Sequence, residues 1–109
     1  MNFPFKQKKL GNRLIREFES ATPASELVWH RDREDRCVYV KKGNGWQLQL
    51  ENKLPVSIIT GESYFIPKNT FHRLIKGRED LVVEITEGDT LLITEKQLRK
   101  MIRNSIIKT

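Results

Sequence analysis

The sequence predicts an all-β domain, built as a closed or sandwiched antiparallel barrel. Eight short segments between residues 27 and 93 alternate apolar and polar residues, the period expected of strands with one buried and one wet face. Turn residues separate these segments, most clearly the glycines of the stretch Lys41–Gly45. The 109 residues suffice for one hydrophobic core and are too few for two.

The first 26 residues predict a basic arm followed by a short helix. Leu14, Ile15 and Phe18 recur at helical spacing, which favours a short amphipathic helix over residues 12–20. The Ala-Thr-Pro-Ala-Ser sequence that follows is expected to end this helix.

The barrel is expected to occupy residues 27–93. Its predicted strands cover residues 27–32, 36–41, 46–51, 56–59, 63–66, 71–76, 81–86 and 90–93. Because Lys41–Gly45 lies between two alternating runs, it predicts a hairpin with glycines at the positions that need positive φ. Closing the sheet on itself, or packing two sheets face to face, would protect so many strand edges.

The last segment, residues 94–109, predicts a basic amphipathic helix. Thr94 and Gln97 fit a capping box at its start. An apolar stripe follows on one face, made of Leu98, Met101, Ile102 and Ile106. Two interpretations remain open: the stripe packs on the barrel or on a second subunit, or the helix is a docking or targeting element for another protein.

The net charge of +6 is concentrated at the two ends of the chain. Residues 1–13 and 95–109 each carry +4, which leaves about −2 between them. We therefore expect solvated termini and no nucleic-acid partner. No apolar run approaches the roughly 20 residues of a membrane helix. The lone Cys37 cannot form an internal disulfide, and nothing near the start resembles a secretion signal, so we expect a cytoplasmic protein without a membrane partner.

The two histidines and one aspartate are the candidate site. Alternate side chains of a strand share a face, so His30 and Asp32 are expected to be neighbours on one wall. A strand that begins near Phe71 would bring His72 across to them. Two imidazoles and one carboxylate form the three-ligand face of non-haem iron and related divalent sites, with positions left open for water or substrate.

The residues around His72 follow a spaced pattern. Gly61, Pro67 and His72 have the spacing of a motif that runs glycine, five residues, proline, a spacer, a second glycine, two residues and histidine. Asn69 replaces the second glycine of that motif, and Lys76 replaces an asparagine usually found four residues after the histidine.

An earlier stretch keeps the spacing of a second motif, made of two histidines, a glutamate and a glycine, but only two of its four residues. His30 and Gly43 match it, Asp32 stands in for the second histidine and Arg36 occupies the glutamate position. Together the two stretches resemble the motifs of the cupin superfamily, whose members are small jelly-roll barrels. Over residues 27–85 the resemblance implies a double-stranded β-helix fold that binds a small-molecule ligand or substrate. It also implies a homodimer and a mononuclear iron, manganese, nickel or zinc ion held by His30, Asp32 and His72.

Arg36 places a permanent cation where related metal-binding cupins have a carboxylate ligand. Two interpretations follow. The site holds a metal and supports an oxygenase or isomerase, or the domain is a metal-free ligand-binding or interaction module. In the second case Arg36 would pair with Asp32, Glu34 or Asp35, or would anchor a carboxylate or phosphate of the ligand.

Four residues complete the predicted ligand-binding set, namely Arg36, Trp46, Tyr64 and Lys76. The two aromatic residues are candidates for stacking on a ring at the pocket mouth, with core packing as the alternative. Lys76 lies four residues after His72 on the same strand face and is a candidate second anion contact, with a solvated lysine as the alternative. Cys37 is expected to be a packed thiol, because it alternates with the site-facing residues.

Overall fold

The computed structural model describes residues 4–88, and this part of the chain is nearly all β. A single turn of 3-10 helix covers Ala24–Glu26. The strands are β1 (Lys6–Leu10), β2 (Arg13–Phe18), β3 (Arg36–Lys42), β4 (Gln47–Leu50), β5 (Val56–Ser57), β6 (Ser63–Ile66), β7 (His72–Ile75) and β8 (Leu81–Glu87). No helix within residues 4–88 is long and apolar enough to cross a membrane. The predicted strand 90–93 and helix 94–109 lie outside the described residues.

The strands form two antiparallel sheets. A five-stranded sheet has the order β1-β2-β8-β3-β6, and a three-stranded sheet has the order β5-β4-β7. Alternate residues of these strands are buried between the sheets, as the period of two predicts. The core consists of Phe18, Val40, Trp46, Leu48, Ile58, Ile66, Leu81, Val83 and Ile85. The all-β antiparallel architecture is therefore confirmed.

The predicted N-terminal helix is wrong, because residues 13–18 form strand β2. This strand pairs with β8, with Leu14 opposite Ile85, and with β1 on its other side. Leu14 and Phe18 pack on the core while Ile15 points to the outer face, so the same apolar residues fit a strand. Without β2, the long strand β8 would present an unpaired edge, and this long-range pairing outweighs the local helical period.

The predicted hairpin at Lys41–Gly45 is also wrong. The turn has the expected positive φ angles, +133° at Gly43 and +82° at Gly45. However, β3 lies in the five-stranded sheet and β4 lies in the three-stranded sheet. Both edges of β3 are already occupied by β6 and β8, so the chain leaves the sheet at this turn and crosses to the opposite one.

The predicted strand over residues 27–32 is reduced to one bridge. His30 donates its backbone N–H to the carbonyl of His72 at 3.0 Å and accepts one from His72 at 2.8 Å. The segment runs from the Ala24–Glu26 turn towards β3 in the other sheet, so it meets the edge of β7 at this residue only. That single contact is sufficient to place His30 beside His72.

Candidate metal centre

His30, Asp32 and His72 meet between the two sheets, as the sequence predicts. One donor atom from each residue can be chosen so that all three lie within 4.8 Å of one another. The imidazole centroids are 4.3 Å apart, and His72 Nε2 lies 3.3 Å from Asp32 Oδ2. Donors about 2.1 Å from a shared ion are typically about 3 to 4 Å apart, so the cluster has nearly the size of a mononuclear site.

Backbone carbonyls orient both imidazoles in the same way. His30 Nδ1 lies 3.0 Å from the carbonyl oxygen of Val28, and His72 Nδ1 lies 2.8 Å from that of Thr70. Because a carbonyl oxygen only accepts hydrogen bonds, each Nδ1 carries a proton, and the neutral form of each ring has its lone pair on Nε2. This is the arrangement that orients a metal-ligating histidine. Burial lowers the pKa of His30, outweighing the hydrogen bond to Val28, and so favours the neutral form of this ring.

Asp32 contributes a buried oxygen that accepts no hydrogen bond. Its Oδ2 atom is buried and lies 3.3 Å from both His72 Nε2 and Arg36 Nη1, but neither contact has hydrogen-bond geometry. Burial alone would raise the pKa of this carboxyl, but the His72 ring and the Arg36 guanidinium outweigh it and hold the pKa below its usual value. A buried carboxylate oxygen without a hydrogen-bond partner, beside two available imidazole nitrogens, fits a divalent cation.

Arg36 does not stand beside this cluster as an uncompensated cation. Its Nη2 and Nε atoms both bind Oε2 of Glu87, at 2.6 and 2.8 Å. Glu87 is the residue directly opposite Arg36 in the β3–β8 ladder. The expected partner Asp35 instead accepts a hydrogen bond from the backbone N–H of Lys68 at 2.8 Å. Since Glu87 and Asp32 share the arginine charge, its repulsion of a bound cation is weakened.

A cavity of about 410 Å³ lies between the sheets and includes the three candidate ligands in its wall. Arg36 and Tyr64, which are two of the predicted ligand contacts, also line it. The hydroxyl of Tyr64 accepts a hydrogen bond from the backbone N–H of Ile59 at 2.9 Å. Most of the remaining wall is aliphatic, so polar groups are gathered in one region of an otherwise apolar cavity.

Two predicted ligand contacts lie elsewhere. Trp46 is fully buried in the core and donates its indole N–H to the carbonyl of Glu79. Its ring packs at a tilt of 53° against that of Phe18, with the ring centroids 5.9 Å apart. Lys76 is exposed and donates to the carbonyls of Ser20 and Thr22, both at 3.1 Å. Neither residue lines the cavity. Trp46 packs in the core, and Lys76 holds the segment after β2 in place through its two hydrogen bonds.

Cys37 is partly buried on the outward-facing side of β3. Burial raises the pKa of its thiol to about 11, so the thiolate is scarce at neutral pH. This agrees with a packed thiol.

Arg16 is a cavity residue that the sequence interpretation missed. It lies between Leu14 and Phe18 on the inward face of β2 and lines the same cavity as Arg36. Because residues 12–20 were interpreted as a helix, the inward position of Arg16 was not recognised. Read as a strand, this stretch would place an arginine between two inward-facing apolar residues, which is the signal of a cation directed into a barrel.

By sequence, the chain matches no family model and no curated protein. Solved structures with a similar fold are numerous. One is an RmlC-like cupin family protein with a double-stranded β-helix fold from Methanocaldococcus jannaschii, with a TM-score of 0.61 and 17% identity over 87% of this chain and 85% of that chain.

Two enzyme structures are also similar. The DMSP lyase DddQ from Ruegeria pomeroyi has a TM-score of 0.59 and 13% identity over 75% of this chain. FeII HppE has a TM-score of 0.54 and 14% identity over 69% of this chain. This chain spans only 40% and 41% of the lengths of these two proteins. The resemblance found in the sequence motifs is thus confirmed at the level of architecture, and the chain has the double-stranded β-helix fold of the cupin superfamily.

Proposed function

We propose that the protein binds a small molecule at a mononuclear divalent metal ion held by His30, Asp32 and His72, and that it acts there as an oxygenase or isomerase. The observation that carries this proposal is the buried, hydrogen-bond-free Oδ2 of Asp32 beside two imidazoles whose Nδ1 atoms already donate to carbonyls. The name of FeII HppE supports iron as one of the ions that this fold accommodates. The name of the DMSP lyase supports catalysis as one of its uses.

A divalent ion held by these three residues would supply an electrophilic centre for water or a substrate oxygen. The chain provides the environment of that centre. The backbone bridge between His30 and His72 fixes the separation of the imidazoles, and the carbonyls of Val28 and Thr70 fix their tautomers. The aliphatic wall excludes water from the substrate, and this strengthens the electrostatic interactions within the cavity.

A metal-free ligand-binding module is the second candidate, and the Arg36–Asp32 contact favours it. The guanidinium lies 3.3 Å from the oxygen that a metal would require and already supplies positive charge there. In this case the cavity would bind its ligand through Arg36 and the two imidazoles, without an ion.

Metal analysis of untagged protein separates the two candidates. We expect close to one equivalent of iron, manganese, nickel or zinc in the wild-type protein, either as purified or after loading of chelator-treated protein. Asp32→Asn removes the carboxylate ligand and should lower the metal content well below stoichiometry, because a neutral amide is a poor ligand for these ions.

Asp35→Asn is the matched control. Asp35 lies three residues away and binds the backbone N–H of Lys68 rather than the cluster, so this variant should keep its metal. Wild-type protein that stays metal-free with each of the four ions would refute the metal proposal and favour the second candidate. Equal metal contents in the two variants would show that Asp32 is not a ligand.

A further inference from the structure

Arg16 is a partly buried cation without an ion-pair partner among residues 4–88. Its Nε atom donates to Oε1 of Gln7 at 2.6 Å, and its guanidinium carbon lies 4.1 Å above the ring of Phe5. These two contacts hold the guanidinium plane but use only one of its five N–H groups. The same side chain lines the cavity that contains the candidate metal ligands.

The surroundings of Arg16 make its charge costly. Burial, followed by the positive charge of Arg36, lowers the pKa of Arg16 to about 10, so it remains charged at neutral pH. The nearby carboxylates Asp32 and Glu87 are both engaged with Arg36. A partly desolvated cation whose neighbouring anions are already paired is expected to attract an anion from outside the chain.

The charges in this part of the cavity support the same conclusion. The charged side chains that line the cavity are Arg16, Arg36, Asp32 and Glu26, and Glu87 lies beside them in its pair with Arg36. These five groups sum to −1, and a divalent ion at the proposed site would raise the sum to +1. One negative charge on the substrate would cancel that excess, whereas a second would exceed it. This part of the argument rests on the proposed metal site, whereas the lack of an ion-pair partner for Arg16 does not.

The remaining wall defines the other half of the ligand. The cavity of about 410 Å³ is lined largely by aliphatic side chains, including Val38, Val40, Leu48, Ile58, Leu74 and Ile85. At about 30 Å³ per small group, this volume accommodates on the order of a dozen non-hydrogen atoms. Such a wall offers no partner for a second carboxylate or for the hydroxyls of a sugar, so it selects against dicarboxylates and sugars.

From these observations we infer that the substrate is an apolar monocarboxylic acid, with its carboxylate paired to Arg16 and its hydrocarbon body in the aliphatic part of the cavity. The planar fork of a guanidinium matches the two oxygens of a carboxylate. A phosphate monoester is disfavoured because its second negative charge would have no partner of its own. Arg16 is thus a binding and specificity residue contributed by the strand β2.

Binding of octanoate to the metal-loaded protein tests this inference by calorimetry. Octanoate should bind the wild-type protein, while octanamide, its neutral analogue, should bind at least about tenfold more weakly, because a charge-assisted hydrogen bond is lost. Arg16→Gln should weaken octanoate binding by a similar factor and leave octanamide binding nearly unchanged. Arg16→Lys keeps the charge without the fork and should give an intermediate affinity.

Arg13→Gln is the matched control, because Arg13 lies on the same strand, pairs with Glu84 and does not line the cavity. It should bind octanoate as the wild type does. Equal affinities for octanoate and octanamide, unchanged binding in Arg16→Gln, or tighter binding of hexyl phosphate would each overturn the inference. The metal content of the same samples separates the two proposals. Arg16-dependent binding by protein that stays metal-free after loading with each of the four ions would support this subsite and refute the metal site.

Discussion

Replacing Glu87 by Gln tests the account of how Arg36 is accommodated beside the candidate metal ligands. Glu87 Oε2 lies 2.6 Å from Nη2 and 2.8 Å from Nε of Arg36, and these side chains are 29% and 11% exposed, respectively. The substitution keeps the size and one oxygen acceptor but removes the charge. Arg36 is then left with Asp32, at 3.3 Å, as its remaining carboxylate.

The expected cost is intermediate between that of a surface pair and that of a buried pair. Breaking a fully buried ion pair costs about 3–5 kcal/mol, and a hydrogen bond to a charged group is worth about 1.5–3 kcal/mol. Because Glu87 is partly exposed and glutamine retains an acceptor, we expect a loss of about 2 kcal/mol in the free energy of unfolding. In a domain of this size that loss lowers Tm by roughly 10 °C.

Glu84→Gln provides the comparison on the same strand. Glu84 pairs at 2.6 Å with Arg13, whose side chain is 60% exposed, so its loss should cost only about 0.2–1 kcal/mol. Urea denaturation of both variants measures the difference directly. We also expect Glu87→Gln to weaken divalent metal binding by about tenfold or more, because Arg36 becomes less compensated. If Glu84→Gln is as destabilising as Glu87→Gln, the proposed neutralisation of Arg36 is wrong.

Three further predictions concern pH, reactivity and packing. Because the pKa of His30 is lowered in the folded state, the unfolded chain binds the proton more readily. The free energy of unfolding of metal-free protein, measured in urea, should therefore fall between pH 7 and pH 5. In the His30→Gln variant this decrease should be smaller. The lowered pKa of Asp32 adds stability that is present above about pH 4 and is lost as the pH falls through the pKa of the folded state. The Asp32→Asn variant should lack this pH-dependent contribution in the same titration. Since the pKa of Cys37 is raised from 9.0 to about 11, iodoacetamide at pH 8 should alkylate the folded protein about 100-fold more slowly than the urea-unfolded chain. Equal rates would contradict the burial of this thiol. Gly77→Ala would place a Cβ 2.5 Å from the backbone of the turn before β4 and should lower the free energy of unfolding by more than about 2 kcal/mol. Gly11→Ala meets open space but has a φ of +62°, so it should cost only about 1 kcal/mol. The reverse order in urea denaturation would refute the close packing at Gly77.

The cluster of His30, Asp32 and His72 could be predicted because the chain offers few histidines, the residues that most often bind metal ions. The chain has only two histidines, and strand alternation placed Asp32 beside the first of them. The prediction held even though residues 27–32 do not form a regular strand, since the backbone bridge at His30 is enough to align the segment. Local pattern and tertiary contact agree here.

The roles of Arg16 in the cavity and of Glu87 beside Arg36 were not predicted, for a different reason. Their roles depend on which strands pair: β2 with β8, and β3 with β8 in the register that sets Arg36 opposite Glu87. These pairings join segments far apart in the chain, and no short window of sequence contains them. The apolar spacing of residues 14–18 suited either a helix or a strand, and only the free edge of β8 decides between them.

In the proposed metal site, the backbone bridge between His30 and His72 would couple ion binding to folding of the chain. The two residues are 42 positions apart, so the imidazoles become neighbours only after the intervening strands have assembled. An extended chain offers the ion one imidazole at a time and binds it weakly. Most of the binding free energy of an ion at the proposed site would therefore appear as added stability against unfolding. Supplying or withdrawing the ion would then change how long the protein stays folded.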